Sequence, residues 1–255
     1  GTTTYAGSFA HNTGGTFTHN SGTSKFTVFS GTINISAASA GTETFGTFTL
    51  EIDHNNCLSV ASGDTIIMAG YMTIVNGNLC TGTVEIKGNI TWGAASDGAG
   101  TDTNLRITGT GDQTITSTSG ASFRGTHTID KVSGNVYLGS NYSLTSGAFV
   151  LTNGTFYARN SANTNNYSLT SIGSYSQSGG TFNGGSSTIS QGGYTTFTLS
   201  GGTYSQSSGT TTYGGSGWTH TAGGTFTHNS GTSSFINGNG TFNVDNTTGE
   251  TFYHL

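Results

Sequence analysis

Gly179-Gly180-Thr181-Phe182, Gly201-Gly202-Thr203-Tyr204 and Gly223-Gly224-Thr225-Phe226 are three forms of one phrase, evenly spaced along the chain. Their common spacing, about 22 residues, falls among the fixed periods that mark a solenoid, in which each repeat buries its apolar side only by stacking on a neighbour. Around the phrase, aromatic residues alternate with Ser, Thr and Asn, the two-residue period of a half-buried strand. In Thr16-Phe17-Thr18-His19 the alternation sets Phe17 and His19 on one side and both threonines on the other. Across residues 50–93 breaks fall about every seven residues, at Gly63-Asp64, Gly70, Asn76-Gly77 and Gly82. Three short strands therefore fit each rung. The expected fold is all-β: a single-stranded parallel β-helix whose rung-marking core includes Phe17, Phe182, Tyr204 and Phe226.

Composition agrees with this class. Gly occupies 43 of 255 positions and charged residues are only 7%, a mixture that in another chain would suggest a disordered linker. Disorder, however, goes with high net charge and few aromatics, whereas here the net charge is −5 and there are 15 Phe and 11 Tyr. Pro, which deletes a ladder donor and breaks central strands, is absent. Six Lys and Arg scattered along the chain make no basic footprint for a nucleic acid. No run of 18 apolar residues exists to span a membrane as a helix. At the spacing of the phrase the chain holds about eleven or twelve rungs, a rod on the order of 55 Å long. It starts with Gly1, which fits either removal of a signal peptide or a section of something longer.

The chain reads as one continuous solenoid over residues 1–255. Residues 50–93 are the most apolar part; residues 94–104 lack alternation and are expected to leave the stack as a protruding loop. Asn141-Tyr142-Ser143-Leu144-Thr145-Ser146 returns identically at 166–171, a little more than one rung on, and the excess suggests a turn bulging at 159–165. A longer repeat lies above the rung. Residues 14–26 and 223–235 are identical except at Lys25 and Ser234. The match extends upstream, where Thr2-Thr3-Thr4-Tyr5 parallels Thr210-Thr211-Thr212-Tyr213, and downstream, where Thr44-Phe45 parallels Thr251-Phe252. Residues 1–50 and 209–255 are thus corresponding ends of a higher-order block of about 209 residues.

With these motifs in view, the sequence resembles the low-complexity repeat regions of secreted bacterial surface proteins of the parallel β-helix, adhesin-like type. The phrases that carry the likeness are Gly109-Thr110-Gly111-Asp112-Gln113-Thr114-Ile115-Thr116, Ile129-Asp130-Lys131-Val132-Ser133-Gly134-Asn135-Val136, Gly217-Trp218-Thr219-His220 and the closing Thr251-Phe252-Tyr253-His254-Leu255. The resemblance implies a fold and a surface location, and it carries no catalytic residues to transfer.

Candidate chemistry is sparse. His11, His19, His220 and His228 each stand two residues after an aromatic, but equivalent slots hold Leu151, Gln177 and Gln206, which describes a strand-end position near a turn better than a metal ladder. Eleven carboxylates are spread along the chain; Glu51 and Asp53 are the one tight pair, and Asp97, Asp102 and Asp112 with Arg106 are the best constellation for a polysaccharide-cleaving enzyme. Cys57 and Cys80, about one rung apart, fall on neighbouring turns, where a disulfide or two free thiols both fit. Thr181, Thr203 and Thr225 form a uniform column, as an ice-binding face would need, but their partners are Asn183, Ser205 and Thr227. No catalytic residue, cofactor or metal is expected.

A solenoid exposes unpaired strand edges at its two ends, and charged strands or caps usually blunt them. Residues 1–20 contain no Lys, Arg, Asp or Glu, and residues 236–255 have only Asp245 and Glu250. The ends are therefore expected to join more chain or each other, through Tyr5 and Phe9 at one end and Phe252 and Leu255 at the other. The leading expectation is a structural extracellular protein, a subunit or section of an end-to-end filament. Its partner is a second copy or further repeats of the same chain. A carbohydrate-binding adhesin that meets surface glycans is the alternative, ahead of an enzyme or an ice-binding protein.

Overall fold

The computed structural model of the chain is described here for residues 1–12, 15–27, 31–35, 41–53, 56–95, 103–118, 123–145, 147–193, 195–236, 239–245 and 249–255. Among the described residues there is no helix; parallel strands stack into a β-solenoid of about ten turns. The chain visits three faces in fixed order, here named A, B and C. Face A starts at Thr2–Tyr5, Thr23–Phe26, Thr47–Glu51, Met72–Asn76, Ile90–Ala95 and Gln113–Ser117, and ends at Gly224–Thr227. Face B holds Phe9–His11, Gly31–Ile35, Cys57–Val60 and Asn78–Cys80, then Tyr142–Ser143, Leu169–Ile172, Ile189–Gln191, Thr210–Tyr213 and Thr232–Phe235. Face C runs from Thr42–Phe45, Thr65–Met68, Thr83–Ile86 and Asn104–Ile107 to Gly217–Thr221 and Thr241–Asp245. Between these limits, His127–Leu138, Phe149–Tyr157, Tyr175–Asn183 and Thr196–Ser205 each begin on face C and end on face A.

That last feature explains the Gly-Gly-Thr phrase. In Tyr175–Asn183 and Thr196–Ser205 it is the corner at which one strand passes from face C to face A. Gly202 has φ +73°, and a Cβ there would collide with the Gly180 carbonyl oxygen, so the corner needs both the left-handed backbone and the close approach that only Gly permits. Two residues later the aromatic points inward again.

Alternation then fills the core. On face A, Phe156, Phe182, Tyr204 and Phe226 are in register on successive rungs, with ring centroids 5.4, 4.7 and 5.9 Å apart and nearly parallel planes. On face C, Phe149, Tyr175, Phe197, Trp218 and Phe242 form a second ladder at 5.7, 5.0, 5.4 and 4.6 Å. Rings of one ladder meet those of the other edge to face, as Tyr175 meets Phe182 at 87°, the arrangement that aromatic quadrupoles favour. The N-terminal half uses Leu50, Leu58, Val60, Ile66, Met68, Met72 and Ile74 for the same purpose. Between Asn78–Cys80 and Tyr142–Ser143 no described strand lies on face B. Phe123 occupies the core there, 4.4 Å from Trp92 and 5.0 Å from Tyr142.

Ten turns rather than eleven or twelve follow from residues spent outside the rungs. The turn expected at 159–165 is a small projecting hairpin, closed by an antiparallel bridge between Arg159 and Asn166 and held by the Asn160 side chain, whose Oδ1 accepts from Thr164 and Asn165. Of the stretch 94–104, Ala94 and Ala95 close one strand and Asn104 opens the next. Residues 96–102, with Asp97 and Asp102, lie outside the described residues.

Phe182→Ala removes the middle of a fully buried ladder and is expected to lower unfolding free energy by about 3–5 kcal/mol. Gly202→Ala is expected to cost more than about 1 kcal/mol. Urea denaturation of both variants checks this; a Phe182→Ala cost under about 1 kcal/mol would mean the rings are not packed as described.

Candidate functional site

The expected interface residues and the longer sequence repeat lie at the two ends of the stack, and these ends are copies of one another. Near the start, the Tyr5 ring stacks on Phe26 at 4.8 Å and 17°; near the finish, Tyr213 stacks on Phe235 at 4.9 Å and 19°. Phe9 meets Phe17 and Phe45 at 5.3 Å each, and Trp218 meets Phe226 and Phe252 at 5.8 Å each, with similar tilts. Phe17 lies 5.3 Å from Phe45, and Phe226 lies 5.3 Å from Phe252. The turns agree as well. Asn20 and Ser21 have φ +47° and +54°, Asn229 and Ser230 +49° and +56°, and in each turn the histidine Nδ1 accepts from the serine N–H, at 3.0 Å for Ser21 and 2.9 Å for Ser230.

One part of this copy is not evident from the strand pattern. His11 Nδ1 is paired with Glu43, and His220 Nδ1 with Glu250. Each pair ties a histidine on one strand to a carboxylate well over one rung later, and both lie at equivalent block positions. The signal is present in the sequence: Glu43-Thr44-Phe45 returns as Glu250-Thr251-Phe252. His11 is held above its ordinary pKa by the Glu43 hydrogen bond, supported by the Gly15 backbone. The pair's contribution is present below pH 6.5 and is lost as pH rises through the raised value.

What differs between the ends is what lies over them. Phe26 and Ile33 are fully buried, because Phe48 stacks on Phe26 at 5.1 Å and the later rungs close over both. Their block equivalents Phe235 and Phe242 are 40% and 48% exposed. Leu255 is 83% exposed and Tyr253 is also exposed. Tyr213, Trp218, Phe235 and Phe242 line an open apolar recess with Gly215, Gly217 and Gly240. Among the described residues, the outermost strands Thr2–Tyr5, Phe9–His11, Gly224–Thr227 and Thr241–Asp245 are each paired on one side only. Of the expected interface residues, Tyr5 and Phe9 belong to the first rung, and Phe252 and Leu255 to the last.

The other candidates are placed as follows. Cys57 and Cys80 are joined as a disulfide across neighbouring strands of face B, with Cα atoms 5.9 Å apart. Phe182 and Tyr204 are buried in the face A ladder and Phe226 caps it, while Phe17 packs at a different place, against Phe9 and Phe45. Arg106 and Asp112 are not brought together. Arg106 donates to Asp130 at 2.7 Å and sits 3.5 Å from Glu85; Asp112 accepts from the Asn135 backbone at 2.8 Å. Glu51 and Asp53 point outward, Glu51 against Lys25 at 2.5 Å. Thr155, Thr181, Thr203 and Thr225 share one register column, beside Tyr157, Asn183, Ser205 and Thr227.

Inward polar side chains serve the corners. Gln177 Nε2 donates to the carbonyls of Gly180 and Thr203 at 3.2 and 3.0 Å, and Tyr175 donates to its Oε1 at 2.7 Å. Lys131 is buried and donates to the carbonyls of Gly109 and Gly111 and to Gln113 Oε1; burial depresses its pKa. His127 is buried beside Phe123, 2.5 Å from the Tyr142 hydroxyl.

No family model matches the chain, and comparison with curated proteins and with solved structures found no match.

Burial pushes the His127 imidazole down to about 3. The unfolded chain takes up that proton near pH 6.5 and the folded one does not, so this stability is full above pH 6.5 and falls by on the order of 1.4 kcal/mol per pH unit toward 3. His127→Gln keeps a partner for Tyr142 and cannot titrate. Its cost relative to the parent in urea unfolding is expected to be smaller at about pH 4.5 than at about pH 7; an equal cost at both would contradict a neutral buried His127.

Proposed function

We propose that this chain is a structural solenoid that lengthens end to end, with a second copy of the same chain seated on the exposed C-terminal rung. In this reading it is a subunit or section of an extracellular filament or surface fibre and does no chemistry. The carrying observation is the comparison of Phe26 with Phe235. The same Thr-Ser-X-Phe strand stacks on the same tyrosine in both places; where later rungs of this sequence lie over it the ring is buried, and where they do not it is 40% exposed. The twin is covered by the parallel rung that begins at Thr47, so the exposed surface fits a parallel rung with inward apolar side chains, which the first rung of a second copy offers through Tyr5 and Phe9.

Two further features support the reading. Strands with one unpaired edge offer main-chain donors and acceptors along the axis, and sheet edges add strands readily. The Cys57–Cys80 disulfide suits an oxidising, extracellular location.

Electron microscopy and sedimentation over a range of concentrations test the proposal. Rods that lengthen with concentration are expected, and Phe235→Asp with Phe242→Asp is expected to return them to single length without unfolding the body of the stack. Discrete short rods at every concentration would refute it.

A further inference from the structure

The two copies of the block do not lie on the same faces. Thr2–Tyr5 and Thr23–Phe26 are on face A, and their equivalents Thr210–Tyr213 and Thr232–Phe235 are on face B. Phe9–His11 and Gly31–Ile35 are on face B, and their equivalents Gly217–Thr221 and Thr241–Asp245 are on face C. Register survives the move intact. Tyr5 pairs with Phe26 as Tyr213 pairs with Phe235; Phe9 pairs with Ile33 as Trp218 pairs with Phe242. Even the start of the next turn obeys it: Thr23 pairs with Thr47, and Thr232 bridges His254, which holds the equivalent place.

The block is therefore not a whole number of turns. From Thr23–Phe26 the chain makes nine turns on face A to Gly224–Thr227 and advances one more face to Thr232–Phe235. Nine and one-third turns thus make up one block, and the turn length keeps to the period of the Gly-Gly-Thr phrase. One phrase of the block thus folds on face A and again on B, and another on B and again on C, with ring pairs at closely matching distances.

Resting on the stacking proposed above, the geometry points to a fibre in which each successive block is turned by one third of a turn relative to the one before. Residues 209–255 are already the start of a second block in that rotated frame, and the rungs that continue it are those of residues 46 onward. Three blocks make 28 turns and restore the original orientation, with a rise of about 45 Å per block at the ordinary strand spacing. Whatever a block carries on its outside then appears on each of the three sides in succession. The Arg159–Asn166 hairpin and the Glu85–Arg106–Asp130 ladder are the chief examples. An integral period would line them along one side.

The test is a tandem chain, residues 1–252 followed directly by 46–255, with a small folded tag inserted between Ala162 and Asn163 at the exposed hairpin tip of each block. Electron cryo-microscopy reads rod length and tag direction separately. A rod longer by about 45 Å, with the two tags about 120° apart once the gradual twist measured in the same map is subtracted, is the expected result. A lengthened rod with both tags on one side overturns the rotation and leaves end-to-end stacking standing. Two separate rods, or an unfolded second block, overturn the stacking and the rotation with it.

Discussion

The structure depends on one constraint: parallel strands about 4.8 Å apart along an axis must carry side chains that also stack at that spacing. Flat aromatic rings meet it. The face A and face C ladders hold their rings between 4.6 and 5.9 Å, nearly parallel within a ladder and nearly perpendicular between ladders. Each rung thereby packs as an interior should, although the outside of most strands is Ser, Thr or Asn. Between residues 50 and 90, where rings give out, β-branched and other aliphatic side chains fill the core in their place.

The same stacking makes the corners expensive, because a turning backbone leaves carbonyls facing inward with no ladder partner. Buried carbonyls of this kind need donors. Gln177 and Lys131 supply them, each from an inward position where alternation would otherwise place an apolar residue. Gly202 deals with the steric half of the problem, since its missing Cβ lets one corner nest on the one below. Aromatic columns, polar corner residues and Gly pairs are three answers to one geometric demand.

Much of this was legible in the sequence. The even spacing of Gly-Gly-Thr-aromatic set the rung, the shorter spacing of the Gly and Asn breaks set three faces, and the excess near 159–165 marked the hairpin. Ends that match at every position of 14–26 but one also revealed the longer block. What stayed hidden is relational. The block length is not a clean multiple of the rung, but varying corner lengths blur the remainder, so the shift of face appears only once register is known. The His11–Glu43 and His220–Glu250 pairs have a separation unlike the rung period, because each reaches past a full turn to the next rung. Lys131 follows from the alternation Ile129 in, Asp130 out, Lys131 in, but charge argues against burying it until the Gly109 and Gly111 carbonyls are seen waiting there.

Two nearly identical strands in one molecule, differing chiefly in whether a rung lies over them, form a built-in control. Hydrogen–deuterium exchange of the isolated chain reads it most directly. The account predicts stronger protection of the amides of residues 23–26 than of 232–235, where only the start of a rung, at His254, lies over Thr232 and Ser233, with the two converging when the chain is concentrated into rods. Equal protection of the two strands in the isolated chain, or no change at 232–235 on assembly, would contradict it.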